Sequence, residues 1–379
     1  MTCPGDLAGK PLSERLQRKT SMLDMRRKPF LIAAVLFWGA YSVHAATLAM
    51  AQPAGAPATT QIAAAQTAKI VDAANAFLGT LSTDQKAAVI FAFKDAEQRT
   101  HWSNLPLGLF TRKGLRRGEM NEAQRTALTN LLATILSPKG AKLVREQMAA
   151  DDLLKTHGGN RADLIYGNEY YYVSFLGAPS ATSAWMFQFG GHHLGINATV
   201  VGPNVTLAPT HTGAQPVKFT SLAGEQINIA EEEVGRVATL LGALTEAQIR
   251  KAVVSDRSID MVLGPGQDGK TLQPEGLPAS EMTIAQKSAL LDVIKSRLEI
   301  LNAEHVTPKI VAVQENLDKT YFAWYGPISG IGTSYFRVTG PTVLLEFAPQ
   351  ELFGSPDQHH HNMYRDPTNE YGAAWTSLK

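Results

Sequence analysis

An internal repeat constrains the fold of this chain more than any other feature of its sequence. Residues 77–85 (FLGTLSTDQ) match residues 240–248 (LLGALTEAQ). Residues 114–128 share eight identities with residues 276–290, in a segment without low-complexity content. Such agreement is hard to reach by chance, so the sequence predicts one ancestral unit used twice.

Each repeat begins with helix signals. A short polar residue followed three positions later by glutamine is a capping box, which marks the first turn of a helix. Apolar residues at helical spacing follow each box. The glutamines are therefore interpreted as caps rather than as catalytic groups. The four boxes begin at Ser82, Asn121, Thr245 and Thr283.

Each repeat then changes to β-rich segments that alternate with a period of two. Helices followed by antiparallel strands, given twice, predict an α+β fold. We expect two homologous helix-then-antiparallel-sheet halves, about 70–225 and 232–366, related by a pseudo-twofold and packed as one body. A ligand site is expected between the halves. The predicted strands are Tyr170–Leu176, Ala184–Phe189, Leu194–Val201, Val205–Pro209, Lys309–Gln314, Thr320–Trp324, Ser334–Val338 and Val343–Phe347.

The first fifty residues have the layout of a secretory signal peptide. A basic stretch that begins at Met25 precedes an apolar run at 31–40, and Ala49-Met50-Ala51 is a small-x-small site for cleavage after Ala51. The alternatives are cleavage after Ala45 and an uncleaved anchor. The apolar run is too short to span a bilayer. Because the segment has ordinary length only when counted from Met25 or Met22, we expect translation to start there. The predicted organisation is a signal peptide at 1–51, a flexible leader at 52–65, and a single globular unit at 66–379 that ends in a histidine-rich segment, in a secreted or periplasmic protein.

Composition excludes several classes of protein. Of the residues 44% are hydrophobic and 18% charged, which argues against a disordered or collagen-like chain. The net charge is +1 and no basic run lies in the body of the chain, so no nucleic-acid partner is expected. The one cysteine, Cys3, precedes the signal, which excludes a disulfide scaffold. Any metal must therefore be held by histidine and carboxylate. The expected partner is a small-molecule ligand or substrate, with no membrane contact after signal cleavage.

Two groups of histidines suggest a metal site. His192 and His193 follow two glycines at the end of a predicted strand, and residues 359–361 are all histidine. In an extended segment His359 and His361 share one face, and two imidazoles on one face are a common way to present a metal. The repeat aligns Asn197 with Glu346, which adds a carboxylate to the hypothesis. The predicted metal ligands are His192, His193, His359 and His361, and the predicted catalytic residues are Glu346, Asp366 and His193.

The predicted substrate-binding residues are two arginines and two neighbouring polar residues. Arg365 and Asp366 are adjacent, so in an extended segment their side chains point to opposite faces. An arginine can hold a carboxylate or phosphate with two hydrogen bonds. The alternative for Arg365 and Asp366 is a plain turn with a surface ion pair. The alternative for the histidines is that they cap a strand or lie in a solvated loop. The predicted substrate-binding residues are Arg365, Arg337, Asn197 and Tyr364.

The combined motifs resemble the domain of unknown function family numbered 3500, from about residue 66 to Gly372. That family has no established activity, but the resemblance implies that the histidine, Arg-Asp and Glu motifs are family features. One departure is Glu370, because such proteins often have Asp before the final Tyr-Gly; the longer side chain argues against a direct ligand role there. The motifs are Trp185…Gln188…Gly191-His192-His193-Leu194…Asn197, Thr212-Gly-Ala-Gln-Pro216, Phe322-Ala-Trp324-x-Gly326-Pro327, Tyr335-Phe-Arg337…Gly340-Pro341…Glu346 and His359-x-His361-x-x-Tyr364-Arg365-Asp366-Pro-Thr-Asn-x-Tyr-Gly372.

These observations favour a metal-dependent hydrolase that acts on a small anionic substrate. The histidines and Glu346 would supply ligands or the general base, while Arg365 and Arg337 would hold the anion. The metal is a divalent transition metal, zinc first, with copper or iron also compatible with a thiolate-free site. The alternatives are a non-catalytic metal- or small-anion-binding protein, a metal-dependent oxidoreductase, and a structural histidine cluster without a ligand. An enzyme needs an open coordination position, whereas a storage site is closed.

Overall fold

The computed structural model describes residues 58–157, 163–352 and 354–376. The predicted signal peptide, 1–51, lies outside these residues. The predicted flexible leader is wrong from Ala58 onward, since a helix begins there. Alanine has the highest helix propensity, and Ala63 is buried in this helix, so packing and propensity agree.

In both parts of the chain the helices precede the longer strands, as the sequence predicts, while short strands of two or three residues lie between the helices. No helix among the described residues is both long and apolar enough to cross a membrane. The helices are α1 Ala58–Gly79, α2 Thr83–Val89, α3 Ala96–Thr100, α4 Glu122–Ile135, α5 Pro138–His157, α6 Glu231–Ala243, α7 Glu246–Ala252, α8 Ile284–Leu298 and α9 Ala303–Glu315.

All four capping boxes are confirmed. At Ser82, Asn121, Thr245 and Thr283 the side chain accepts a hydrogen bond from the backbone N–H three residues on, and the glutamine there bonds back to the cap. The glutamines also pair with one another between helices, as Gln124 does with Gln85 at 2.8 Å. They are thus structural groups at the helix ends.

The strands of the described residues form a mixed sheet and a separate hairpin. They are β1 Ile90–Phe91, β2 Leu115–Arg116, β3 Tyr172–Leu176, β4 Trp185–Gly191, β5 Leu194–Val201, β6 Asn204–Thr206, β7 Thr210–Ala214, β8 Lys218–Thr220, β9 Gln226–Asn228, β10 Val253–Ser255, β11 Leu277–Pro278, β12 Tyr321–Tyr325, β13 Tyr335–Thr339, β14 Leu344–Pro349 and β15 His360–Arg365. The large sheet has thirteen of these strands, in the order β1-β3-β4-β5-β7-β15-β14-β13-β12-β10, with β2, β6 and β11 paired beside it, and the hairpin is β8 with β9. Most pairs are antiparallel, but β1 with β3 and β10 with β12 are parallel.

Six predicted strands coincide with β3, β4, β5, β12, β13 and β14 to within two residues, and Val205–Pro209 overlaps β6. The prediction of a strand at Lys309–Gln314 is wrong, because this segment lies inside α9. Its β-branched residues favour a strand locally. Asn302 instead caps a helix through the N–H of His305, and Val306 and Val313 then fall on the buried face seven residues apart.

The two faces of the large sheet differ in chemistry. One face is apolar and packs on the helices, with Phe175, Phe187 and Phe336 in a core shared with Leu128 and Leu290. The other face is polar although it is buried, and loops before β2 and β11 cover it. A row of side chains in register crosses this polar face from β7 to β13. That row consists of His211, Met363, Glu346 and Arg337.

Candidate functional site

Three histidines meet at one end of the polar face. His359 Nε2 lies 3.0 Å from His193 Nε2 and 3.1 Å from His361 Nε2. The three ligand atoms all lie within 4.8 Å of one another. His193 and His359 are buried, at 4% and 5% exposure, and His361 is half-buried. We call this group the histidine trio.

Strand pairing brings the trio together. His192 and His193 form the two-residue turn between β4 and β5, and His193 adopts φ 59° while its N–H donates to the Asn104 carbonyl at 3.0 Å. His361 in β15 pairs with Gly213 in β7. A Cβ on Gly213 would lie 2.4 Å from a backbone carbonyl and 3.5 Å from the His193 side chain, so glycine is required for this close approach.

Alternation along β15 separates the consecutive histidines, as predicted for an extended segment. His359 and His361 share the polar face, while His360 points to the other side. There His360 Nε2 donates to the Gly332 carbonyl at 3.0 Å, and its ring packs against Phe347.

The tautomer of His359 is fixed by its surroundings. Its Nδ1 lies 2.8 Å from the Leu352 carbonyl oxygen, which can only accept, so in the neutral ring Nδ1 carries the proton and Nε2 carries a lone pair. Burial lowers the pKa of His359 to about 4. Burial, reinforced by the neighbouring histidines, also lowers the pKa of His193 and His361 well below the usual value. Neutral imidazole is the form that binds metals.

His192 lies beside the trio rather than in it. Its ring stacks on His193 with centroids 3.7 Å apart, and its Nδ1 is 2.7 Å from Asp151 Oδ1. The second carboxylate oxygen of Asp151 accepts from the Gly167 N–H at 2.9 Å, so the acid is held from both sides. Sequence reasoning missed Asp151, because an acid in the middle of an amphipathic helix carries no local sign of its partner.

Two further residues near the trio were also missed. His211 lies beside His361, with ring centroids 5.6 Å apart, and its Nδ1 is 3.2 Å from the His193 carbonyl oxygen. Its buried Nε2 has no hydrogen-bond partner among the described residues. Asn104 places its side-chain amide nitrogen 3.5 Å from His361 Nε2. The β-rich stretch around His211 could have indicated β7, the strand that carries this histidine, but no strand was predicted there.

Glu346 shares the polar face with the trio but is not part of the group. The carboxylate accepts hydrogen bonds from Val262 N–H at 2.7 Å, Leu263 N–H at 2.8 Å and the Tyr335 hydroxyl at 2.8 Å. Burial raises the pKa of Glu346, and these three hydrogen bonds oppose that rise. Both oxygens thus hold the loop before β11 onto the sheet, so the predicted contribution of Glu346 to a His/His/His/Glu constellation is not seen.

The two predicted anion-binding arginines are engaged within the protein. Arg365 donates to the carbonyls of Leu263 and Gly264, each at 2.8 Å, and to Glu370 Oε1 at 2.5 Å. Arg337 forms an ion pair with Glu275. The arginines clamp loops and the C-terminal segment onto the polar face instead of facing the trio. The carboxylate of Glu370 is thus a partner of Arg365.

The remaining predicted site residues lie elsewhere. Asp366 and Arg365 point to opposite faces as predicted, and Asp366 Oδ2 is 2.5 Å from Lys309 Nζ on the helix-covered side. Tyr364 belongs to the apolar core on that same side. Asn197 is buried on the polar face, where its side-chain oxygen accepts from Gln188 and its amide donates to a backbone carbonyl, both at 3.0 Å.

Comparison with known proteins gives a family but no described activity. The model of the family described as "Protein of unknown function (DUF3500)" matches residues 63–373, which is most of the chain. The match confirms the resemblance found in the motifs. No curated protein and no solved structure matches the chain.

Proposed function

The chain belongs to the DUF3500 family, whose function is unknown, and from its own geometry we propose that the histidine trio binds a divalent transition metal. The observation that carries this proposal is the convergence of three Nε2 atoms. Donors of a tetrahedral zinc site with Zn–N bonds of about 2.0–2.1 Å lie roughly 3.3 Å apart. The distances of 3.0 and 3.1 Å around His359 are close to that spacing.

Hydrogen bonds between the rings do not by themselves account for the close approach of the three Nε2 atoms. His359 Nε2 has one lone pair, yet the Nε2 atoms of both His193 and His361 approach it within hydrogen-bond distance. One lone pair accepts one good hydrogen bond. A cation held between the rings would use all three lone pairs at once, so the donor set fits a metal. Three imidazoles without a thiolate suit zinc first, and copper or iron as alternatives.

We propose hydrolysis as the reaction. Three neutral protein ligands leave one coordination position open, as in catalytic zinc sites, and a zinc ion there would lower the pKa of a bound water. His192, oriented by Asp151 and stacked on His193, is placed to accept a proton. Since Arg365 and Arg337 are engaged with carboxylates, attraction for an anionic substrate would come from the metal's own charge.

Non-catalytic metal binding is the second candidate. The low exposure of His193 and His359 favours it, because a buried site restricts access of a large substrate. An oxidoreductase would differ from both by its preference for copper or iron over zinc. The identity of the bound metal and the presence of turnover therefore distinguish a hydrolase, a metal-binding protein and an oxidoreductase.

Elemental analysis and calorimetry test the proposal. The full chain, stripped by a chelator and titrated with Zn²⁺, Cu²⁺ or Fe²⁺, should bind one ion. His361→Ala should weaken binding more than about 100-fold, since even outer-shell changes cost 10–100-fold. His360→Ala is the matched control, because that residue is on the same strand but the opposite face, and it should bind like wild type. Equal affinity in the His361 and His360 variants would overturn the metal site.

Turnover is tested separately. With zinc bound, the chain should hydrolyse members of a chromogenic panel of carboxylic and phosphoric esters, and His192→Gln should keep one zinc while losing about 100-fold in kcat. Stoichiometric metal without turnover of any ester would favour the binding protein. Loss of zinc in the His192 variant would instead make His192 a ligand.

We also propose that the two halves, about 70–225 and 232–366, derive from one duplicated unit related by a pseudo-twofold, within a globular unit that includes α1 from Ala58. The order of strands supports this proposal. From one edge the sheet runs β1-β3-β4-β5-β7, and from the other β10-β12-β13-β14-β15. The register pair of Gln188 with Asn197 corresponds to that of Arg337 with Glu346. Halves that fail to superpose strand for strand in an experimental structure would contradict it.

We further propose that the protein is exported to the periplasm or secreted. This proposal is supported by the basic, apolar and small-residue segments of residues 1–51, which lie outside the described part of the chain. Expression in a Gram-negative host followed by N-terminal sequencing tests it. We expect the exported chain to begin after Ala51; a chain that stays in the cytoplasm with its first fifty residues intact would refute it.

A further inference from the structure

A cavity of about 250 Å³ lies on the helix-covered side of the sheet, on the face opposite to the histidine trio. Most of its wall surface is apolar, although polar residues alternate with the aliphatic ones, and the lining residues come from α8, α9, β6, other strands and the C-terminal segment. Val205, Leu298 and Val306 are among the apolar residues that line it. At about 30 Å³ for each water, the volume corresponds to roughly eight waters, which is room for a molecule with one or two rings.

The charged groups in this cavity do not favour an anion. Lys309 is bound to Asp366 at 2.5 Å, and Arg297 forms a buried ion pair with Glu233. Each of these positive groups is neutralised within the protein. The half-buried Glu304 also lines the cavity, and because its side chain is partly exposed, solvent screens its charge. The cavity therefore offers no buried, unpaired charge to either an anion or a cation.

One hydroxyl group in the cavity is available for a ligand. The Tyr364 side chain lines the cavity at 6% exposure, and no hydrogen bond joins its hydroxyl to another described residue. Thr342 also lines the cavity, but its Oγ1 is enclosed by protein atoms and does not face the open space. Burial and the nearby Asp366 raise the pKa of Tyr364 well above its usual value, so the hydroxyl remains a donor. Buried polar groups are normally hydrogen-bonded, and one left without a protein partner calls for an explanation.

We propose that this cavity binds a neutral, compact molecule with an apolar ring or branched body and one hydroxyl or carbonyl oxygen that accepts a hydrogen bond from Tyr364. A mostly apolar wall surface with convergent polar groups is typical of small-molecule sites. The proposal is independent of the histidine trio, because the cavity residues and the trio lie on opposite faces of the sheet.

Three probes with the same ring test the chemistry: p-cresol, 4-methylbenzoate and 4-methylbenzylamine. Binding to the full chain is followed by saturation-transfer NMR and by tryptophan fluorescence, since Trp375 lines the cavity. We expect the neutral probe to bind at least tenfold more tightly than either charged one. Failure of p-cresol to bind up to its solubility limit would mean that the cavity holds water only and would overturn the proposal. Equal or tighter binding of a charged probe would overturn the neutral ligand class.

Variants test the location. Tyr364→Phe removes the hydroxyl and should weaken p-cresol binding about five- to tenfold, as expected for one hydrogen bond. Ala312→Phe adds a ring to the wall and should abolish binding, whereas Val311→Phe, the neighbouring residue at 45% exposure, should not. Thermal unfolding followed by circular dichroism checks that each variant is folded. A folded Ala312→Phe variant that binds p-cresol like wild type would place the probe elsewhere and refute the assignment.

Discussion

Replacement of Glu346 by glutamine separates a structural role for this residue from the catalytic role that the sequence suggested. Its carboxylate accepts three hydrogen bonds of 2.7–2.8 Å, from Val262, Leu263 and Tyr335, at 1% exposure. The amide oxygen of a glutamine can keep the bonds to Val262 and Tyr335. Its NH₂ group then faces the Leu263 N–H, so one bond is lost and two donors oppose each other.

The expected cost follows from these contacts. A hydrogen bond to a charged group contributes about 1.5–3 kcal/mol, and a buried donor left unpaired costs about 1–3 kcal/mol. Together these give a loss of about 2.5–6 kcal/mol in the free energy of unfolding. At about 2 °C for each kcal/mol in a chain of this size, Tm should fall by roughly 5–12 °C.

Differential scanning calorimetry of the metal-free protein measures this shift, and Glu351→Gln serves as control because that side chain is exposed. Zinc affinity should not change in either variant, because the carboxylate of Glu346 does not belong to the trio. A Glu346→Gln variant with unchanged Tm but lost zinc binding or turnover would refute the structural role and restore the catalytic one.

Three further predictions address the metal, a helix cap and pH. Zinc at 100 times its Kd should stabilise the full chain by about 2.7 kcal/mol, seen as a rise in Tm that a chelator reverses; an unchanged Tm would contradict selective binding to the folded state. Thr283→Ala removes the hydroxyl that accepts from Gln286 and should cost about 1 kcal/mol in urea unfolding, while Ser288→Ala on the same helix should cost less. Burial lowers the pKa of His305 to about 4, so unfolding takes up a proton between about pH 6.5 and 4, and stability should fall as pH falls through this window, by roughly 3 kcal/mol in total. His305→Gln should lose that part of the pH dependence in unfolding measured at pH 7 and pH 4.5, and an identical pH dependence in both proteins would refute it.

Local patterns in the sequence were sufficient to predict many of the helices and strands. The boxes at Ser82 and Thr283 depend on contacts between residues three positions apart, so the sequence around each is enough to predict them. The alternation of Leu194–Val201 likewise predicts a strand with the observed ends. Lys309–Gln314 shows the limit, because its β-branched composition favours a strand while the cap at Asn302 and burial in the core impose a helix.

The candidate site depended more on contacts that the sequence does not reveal. Adjacent histidines in an extended segment predict that His359 and His361 share a face, but only the pairing of β7 with β15 and the β4–β5 turn brings His193 to them. The same long-range contacts decide which charged residues are already occupied. Arg365, for example, finds its carbonyl partners about a hundred residues earlier in the chain.

The sequence by itself thus determined the secondary structure class, the helix ends and the histidines as the chemically distinctive residues. These depend on backbone preferences and on interactions within one or two helical turns or one strand. The tertiary structure alone decided which three of the four predicted histidines meet, that Asp151 orients His192, and that Glu346 and Arg365 hold loops. The physical reason is that a ligand set or an ion pair is defined by distances of about 3 Å between atoms far apart in the chain, and only the packed strands and loops fix those distances.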